Sequence, residues 1–375
     1  MLIALLGLCL QLLAPDFPKT RAVIESAIKQ KAFPSATVLV WKDGKTLLHE
    51  SFGRLTYEPN SRKTDTLTLY DLASLTKPLV VTLSLMKFHS EGKIRLDDSL
   101  KTFLPETANG GKERLTLKDL LLHQSGLVAF RRYYDCCSTE TQVLTRIYAD
   151  TLIRRAGDTT IYSDLNFVLL GKVVEAISGK RLDEHFSETF CEPLGLKNLT
   201  FNPPDSLAYR IAPTEADENW KFARKRPRVH DPTAAMLGGV SGNAGLFGNA
   251  SDILRLLLPL LNGGAIDSLR FFSPETITLF TTRDPKLKLR ALGWDMRTNG
   301  EKTSTGKYFS METFGHTGFT GTSVWIDKRR NLCVIFLTNR VYPTSENRQI
   351  LAVRRALHDA VMEDLKLVEE RAEVQ

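Results

Sequence analysis

Three short segments, far apart in the chain, carry side chains that could perform acyl transfer together. Ser74-Leu75-Thr76-Lys77 comes early, Tyr162-Ser163-Asp164 in the middle and His316-Thr317-Gly318 late. A serine hydroxyl is a weak nucleophile until a base removes its proton. Positions i and i+3 of a helix share a face, so the Lys77 amine can reach Ser74 Oγ. Desolvation disfavours an ammonium, so a buried Lys77 is expected to be largely neutral and to act as that base. A phenol at Tyr162 can relay a proton between nucleophile and leaving group. His316, on an expected strand, can steer a carboxylate and change charge near neutral pH. Gly318 would let a substrate backbone lie along the edge of that strand.

Each piece is weak alone. Ser-x-x-Lys recurs at Ser26/Lys29, Ser84/Lys87, Ser90/Lys93 and Ser304/Lys307, and Tyr-x-Asp recurs at Tyr133/Asp135 and Tyr148/Asp150. A serine before a helix is more often a cap, Asp164 reads equally well as an N-cap, and a lone histidine is more often structural. Order, spacing and surroundings select one combination. Asp71-Leu72-Ala73 leads into the apolar stretch Leu79 to Leu85. That places Ser74 at a helix start, where free N–H groups and the dipole favour a developing oxyanion. Ser26 and Ser84 fall inside amphipathic helices, and Ser90 and Ser304 in polar turns.

The elements that must position these groups follow from periodicity. Phe17 to Phe33 reads as an amphipathic helix ended by Pro34. Ala36 to Trp41 and Thr46 to Phe52 read as a hairpin around Asp43-Gly44. Late in the chain, Ala291 to Arg297, Met311 to Thr317, Thr322 to Asp327 and Leu332 to Thr338 read as strands, with Lys328 to Asn331 as a turn. A helix from about Glu346 to Val368 follows. The middle reads as helical at Leu79 to Ser90, Leu117 to Leu122, Thr139 to Arg155, Leu165 to Ser178 and Ile253 to Leu261, the last capped by Ser251 or Asp252. Strands at both ends predict one sheet built from both termini, with the middle inserted. The glycine-rich stretch Gly238 to Gly245 lacks phosphate-loop spacing and reads as a tight loop near the substrate.

A chain of 375 residues exceeds a single core and predicts two lobes. The net charge of +7 is interspersed, which argues against a nucleic-acid partner. The basic run Lys221 to Arg228 reads as a solvated loop. Five cysteines are too few for a disulfide scaffold. No metal-ligand motif appears, and no cofactor is expected. Leu2 to Ala14 is apolar except for Gln11. It is shorter than the roughly 20 residues of a stable membrane span. It suits the core of a signal segment over residues 1–15, although it lacks a positive n-region and Leu12-Leu13-Ala14-Pro15 is a poor cleavage site, so a periplasmic or secreted location is expected, the alternative being an uncleaved apolar tail on a cytoplasmic protein.

With their flanks, these segments resemble the serine β-lactamase and penicillin-binding-protein superfamily, in its class C-like and esterase-like branch. The resemblance covers Leu69 to Lys77, Leu120-Leu121-Leu122-His123-Gln124-Ser125-Gly126-Leu127, Tyr162 to Phe167 and Gly315 to Gly321. It extends to His230-Asp231-Pro232, Gly238-Gly239 and Ala244-Gly245-Leu246-Phe247. It implies an α+β fold, an antiparallel sheet flanked by helices with an all-α domain beside it. Residues 16–78 and 285–375 would form the sheet domain and 79–284 the helical one. By the same resemblance Ser74 forms an acyl-enzyme, Lys77 and Tyr162 share the proton work, and the N–H groups of Ser74 and Phe319 form an oxyanion hole. Asp164, His316, Thr317 and Gly318 would bind substrate. Asp164 stands where the family usually has Asn, and His316 where it usually has Lys. The expected function is a serine hydrolase of a small-molecule ester or D-Ala-type peptide, a weak β-lactamase at best. The alternative is a non-catalytic penicillin-binding or cell-wall-sensing protein that retains the fold.

Overall fold

Burial separates the strands of the N-terminal hairpin. Ser35–Lys42 is buried on both faces over nearly its whole length, as a central strand must be, whereas Lys45–Gly53 is largely half-exposed, as befits an edge. The computed structural model describes residues 16–215, 229–287, 289–299 and 303–367. One antiparallel sheet runs in the spatial order Lys45–Gly53, Ser35–Lys42, Leu332–Thr338, Ser323–Asp327, Phe314–Thr317, Trp294–Met296 and Arg290–Ala291. Both ends of the chain therefore meet in the sheet, with Ala36 opposite Thr338 and Lys42 opposite Leu332.

Alternation decides what covers each face. Val38, Val40, Val334 and Phe336 pack with Ile24 and Ala27 of the helix Pro18–Lys29 and with Leu357 and Val361 of the helix Ile350–Asp364. Leu39, Trp41, Ile335 and Leu337 point the other way, onto Ile253 and Leu257 of the helix Ala250–Leu261 and onto the segment after Ser74. The middle of the chain supplies the helices Leu83–Ser90, Leu117–Leu121, Glu140–Ala149, Asp164–Ser178 and Pro274–Thr281. It also carries short strands. Thr200–Phe201 and Leu246–Gly248 join Tyr70–Asp71 in a three-stranded sheet that ties the middle to the approach to Ser74.

Several boundaries differ from those read in the sequence. The strand expected over Ala291 to Arg297 is two pieces, because the chain reverses at Gly293, whose φ is +78°. The helix expected to reach Arg155 stops at Ala149. Asn249, not Ser251 or Asp252, caps Ala250–Leu261 by accepting from Asp252 N at 3.0 Å. The Asp252 carboxylate instead accepts from Asn198 N. The apolar run Leu2 to Ala14, the basic run Lys221 to Arg228 and Val368 lie outside the described residues. Among the described residues no helix is long and apolar enough to cross a membrane.

Candidate active site

Ser74 sits on a strained turn that several elements hold shut. Ala73, just before it, has φ +47°, a left-handed conformation costing a non-glycine residue about 1–3 kcal/mol. Asp71 holds the turn: one carboxylate oxygen accepts from Ala73 N at 2.8 Å and the other from His230 N at 2.6 Å. The segment after the third motif clamps the same turn. Thr320 Oγ1 donates to Asp71 O at 2.7 Å and Thr322 Oγ1 to Leu72 O at 3.2 Å. Gly318 permits this approach, since a Cβ there would lie 2.6 Å from Leu72 O. Arg354, from the C-terminal helix, donates to Gly318 O and Thr322 O at 2.6 and 2.7 Å.

Ser74 lies in the tight turn Ala73–Leu75, and a wide, π-helical turn over Lys77–Thr82 precedes the α-helix Leu83–Ser90. Such wide turns often mark functional positions. The Lys77 side chain is fully buried. Its ammonium donates to Ser74 Oγ at 3.0 Å and to Asn243 O at 2.9 Å, and pairs with Asp164 Oδ1 at 2.7 Å. Burial opposes the charge, but Asp164 and Tyr162 outweigh it and hold the Lys77 ammonium above its ordinary range. The expectation of a largely neutral Lys77 is therefore corrected: the resting group is a cation. Asp164 is not the N-cap either. Ser163 takes that position and Asp164 is the first helical residue, with its carboxylate turned to Lys77.

The Tyr162 hydroxyl faces Lys77 and Ser74, both of which act on its proton affinity. Its ring lies 4.6 Å from the His123 ring, with Lys77 Nζ 5.1 Å and the Arg290 guanidinium 5.3 Å from its centre. Burial raises its hydroxyl pKa more than Lys77 lowers it, so the resting group is a neutral phenol. His123 Nδ1 accepts from Ser163 N at 3.0 Å, and burial pushes its pKa far below the histidine range.

His316 Nδ1 donates to Thr317 O at 2.8 Å, which leaves Nε2 as the acceptor. Burial, with Lys77 and Arg290 adding to it, pushes its pKa down to about 4 although Asp295 opposes them. The expected charge change near neutral pH is thus corrected. Of the strand Phe314–Thr317, the neighbouring Trp294–Met296 pairs with Phe314 and Gly315 alone, so His316 and Thr317 run past its end along a cleft of about 430 Å³. Ser74, Tyr162, His316, Thr317, Gly318 and Phe319 line this cleft together with Asp295, Arg340, Arg348 and Leu351. Lys77 and Asp164 stand behind Ser74. Gly318 N is committed to Thr322 O at 2.7 Å, so it is not the donor of an oxyanion hole.

The glycine-rich loop approaches Lys77 rather than the open cleft. A Cβ on Gly242 would lie 2.0 Å from Phe167 O, so the loop packs directly on the helix Asp164–Ser178 and delivers Asn243 O to Lys77. Asn243 Nδ2 in turn donates to Asp231 Oδ1 at 3.1 Å. Burial and the charge of Asp164 both raise the Asp231 carboxyl. Asp71, His123, Asp231, Asn243 and Arg290 were not among the site residues read from the sequence. The first four lie within its distinctive segments, and Arg290 carries no such signal.

The Beta-lactamase family pattern matches residues 20–358. A protein of Escherichia coli strain K12 named "Putative D-alanyl-D-alanine carboxypeptidase" is 34% identical over 341 residues, covering 82% of this chain and 79% of its own. Among solved structures, a penicillin-binding-protein homologue from Caulobacter crescentus superposes with a TM-score of 0.73 at 21% identity, over 94% of this chain and 98% of its own. A family VIII carboxylesterase gives the same TM-score, identity and coverage. The chain belongs to the beta-lactamase family and is a hydrolase of it.

Proposed function

We propose that the chain is a serine hydrolase that forms an acyl-enzyme on Ser74 and acts on a small ester or D-Ala-type peptide. One observation carries the reading: Ser74 Oγ opens on the cleft while the buried Lys77 Nζ lies 3.0 Å behind it, and the Tyr162 phenol faces both. Ser74 Oγ attacks the carbonyl carbon, and the N–H groups of Ser74 and Phe319 take the oxyanion. Lys77, once it has passed on its own extra proton, receives the serine proton, and Tyr162 hands a proton to the leaving group. Thr317 and Gly318 bind the substrate backbone along the strand edge.

The inner cleft suits an uncharged leaving group. His316 is neutral at working pH and the Asp295 side chain lines the wall beside it, so a substrate carboxylate there meets no cation on that strand. On this strand the neutral His316 favours neutral esters over β-lactams, and a substrate carboxylate would have to be met by Arg340 or Arg348, which line the same cleft. A fluorophosphonate probe should add one group, mapped by mass to Ser74. Hydrolysis of p-nitrophenyl acetate should exceed that of a D-Ala-D-Ala peptide and of nitrocefin in kcat/KM. Labelling that survives in Ser74→Ala overturns the assignment, and a peptide preference overturns the substrate ranking.

A further inference from the structure

In its resting state the site contains no ready base next to Ser74. Lys77 is an ammonium and Tyr162 a phenol, and neither accepts a proton as it stands. The group poised to relieve this is Asp164. Its Oδ1 lies 2.7 Å from Lys77 Nζ, and Lys77 is in turn 3.0 Å from Ser74 Oγ. Lys77 has no exposure, so this proton path is closed to water at its centre.

Building on the Ser74 reading, we propose that Asp164 is the group that holds the displaced proton during acylation, with Lys77 as the relay between it and Ser74. The proton inventory closes. Lys77 Nζ gives a proton to Asp164 Oδ1, leaving an amine and a carboxylic acid. Ser74 Oγ bonds to the carbonyl carbon, its proton goes to Lys77, and the carbonyl electron pair moves onto oxygen. The oxyanion collapses, the bond to the leaving oxygen breaks, and that oxygen takes the Tyr162 proton. Lys77 re-protonates Tyr162, and Asp164 returns its proton to Lys77. The products are acyl-Ser74 and the alcohol, with ammonium, phenol and carboxylate restored.

The pair rests ionised, so the transfer to Asp164 is an uphill, transient step. Separated charges are costly in a buried site, so exchanging an ion pair for an amine and an acid sacrifices less there than in water. A second carboxyl, Asp231, is bound through Asn243 to the same loop that holds Lys77. The charged or titratable groups facing Asp164 are Lys77, Tyr162 and Asp231, those facing Lys77 from the other elements are also Asp231, His123 and His316, and Arg290 faces the two histidines. Both histidines stay neutral at working pH, so the charges around Lys77 on this side of the site are those of Asp164 and Asp231.

The sign of the test follows. In the native chain acylation requires the Asp164 carboxylate beside the Lys77 ammonium to be free to take its proton. In Asp164→Asn the active form requires a neutral Lys77, so the limb becomes that of a lysine and moves to higher pH. The measurement is the second-order rate of Ser74 labelling by a fluorophosphonate from pH 5 to 9, in the native chain and in Asp164→Asn. The acid limb should move up by at least about one pH unit, and the rate at pH 6 should fall roughly tenfold or more. An unmoved limb, with only the concentration dependence changed, makes Asp164 a substrate-binding residue and overturns the proposal. Should Asp164→Asn fail to fold, Asp231→Asn carries the same test. It keeps the cap on Ala234 N but removes the second carboxyl, so the limb should move to lower pH, and an unmoved limb refutes the coupling. Native labelling that maps away from Ser74 refutes the Ser74 reading itself, which separates the two failures.

Discussion

The three N–H donors of the Lys77 ammonium go to Ser74, Asn243 and Asp164, one to each element that meets at the site. This residue is thus a junction as well as a reagent, and a guanidinium could neither fit three such partners nor pass a proton on. His316 is a different case. With its pKa near 4 it keeps one protonation state across ordinary assay conditions. His316→Gln should therefore lower kcat/KM for an ester by a constant factor and leave the shape of its pH profile between 6 and 9 unchanged. A limb near pH 6–7 that vanishes in this variant would restore a titrating role. The types and order of the reactive residues were legible because each sits in a distinctive local segment. Their charge states were not. A lysine or histidine keeps its solution preference until the fold decides what surrounds it, and here Asp164 reverses the effect of burial on Lys77 while His316 gains no carboxylate strong enough to do so.

At the level of elements, the site depends on the nucleophile turn meeting the end of the third-motif strand. Gly318→Ala tests that contact. Its Cβ would lie 2.1 Å from Thr322 Oγ1 and 2.6 Å from Leu72 O, and the second is backbone that cannot swing aside. Probe labelling of Ser74 should slow by at least about tenfold, with a lower melting temperature, in keeping with the 1–3 kcal/mol usual for overpacking. Native rates in this variant would show that the turn and strand move independently. The hairpin around Asp43-Gly44 was readable because both residues adopt positive φ, +48° and +83°, where that dipeptide is favoured. The wide turn over Lys77–Thr82 was not, since six residues leave no periodic mark that separates it from an ordinary helix. Nor was the break at Gly293, where a single glycine inside an apolar run reads equally as strand interior.

For the whole molecule, buried histidines set the acid limit. Burial pushes His185, His316 and His358 each down to about 4. The unfolded chain protonates these rings near pH 6.5, so stability present at neutral pH is lost as pH falls from there toward 4. The melting temperature should drop by at least about 5 °C between pH 7 and pH 5, and replacing His358 with Gln should shrink that drop. A flat profile would mean the rings reach water. The two-ended sheet was legible from strands clustered at both termini, but its spatial order was not, because pairing between distant strands depends on side chains that alternate for several faces at once. That order has a consequence for biogenesis. Ser35–Lys42 leaves the ribosome well before one of its two partners, Leu332–Thr338, which emerges about 300 residues later, tens of seconds at usual elongation rates. Throughout that interval the nascent hairpin presents an unpaired edge of Val38, Leu39 and Val40, so this enzyme's yield in a cell hangs on who shields that edge while translation finishes.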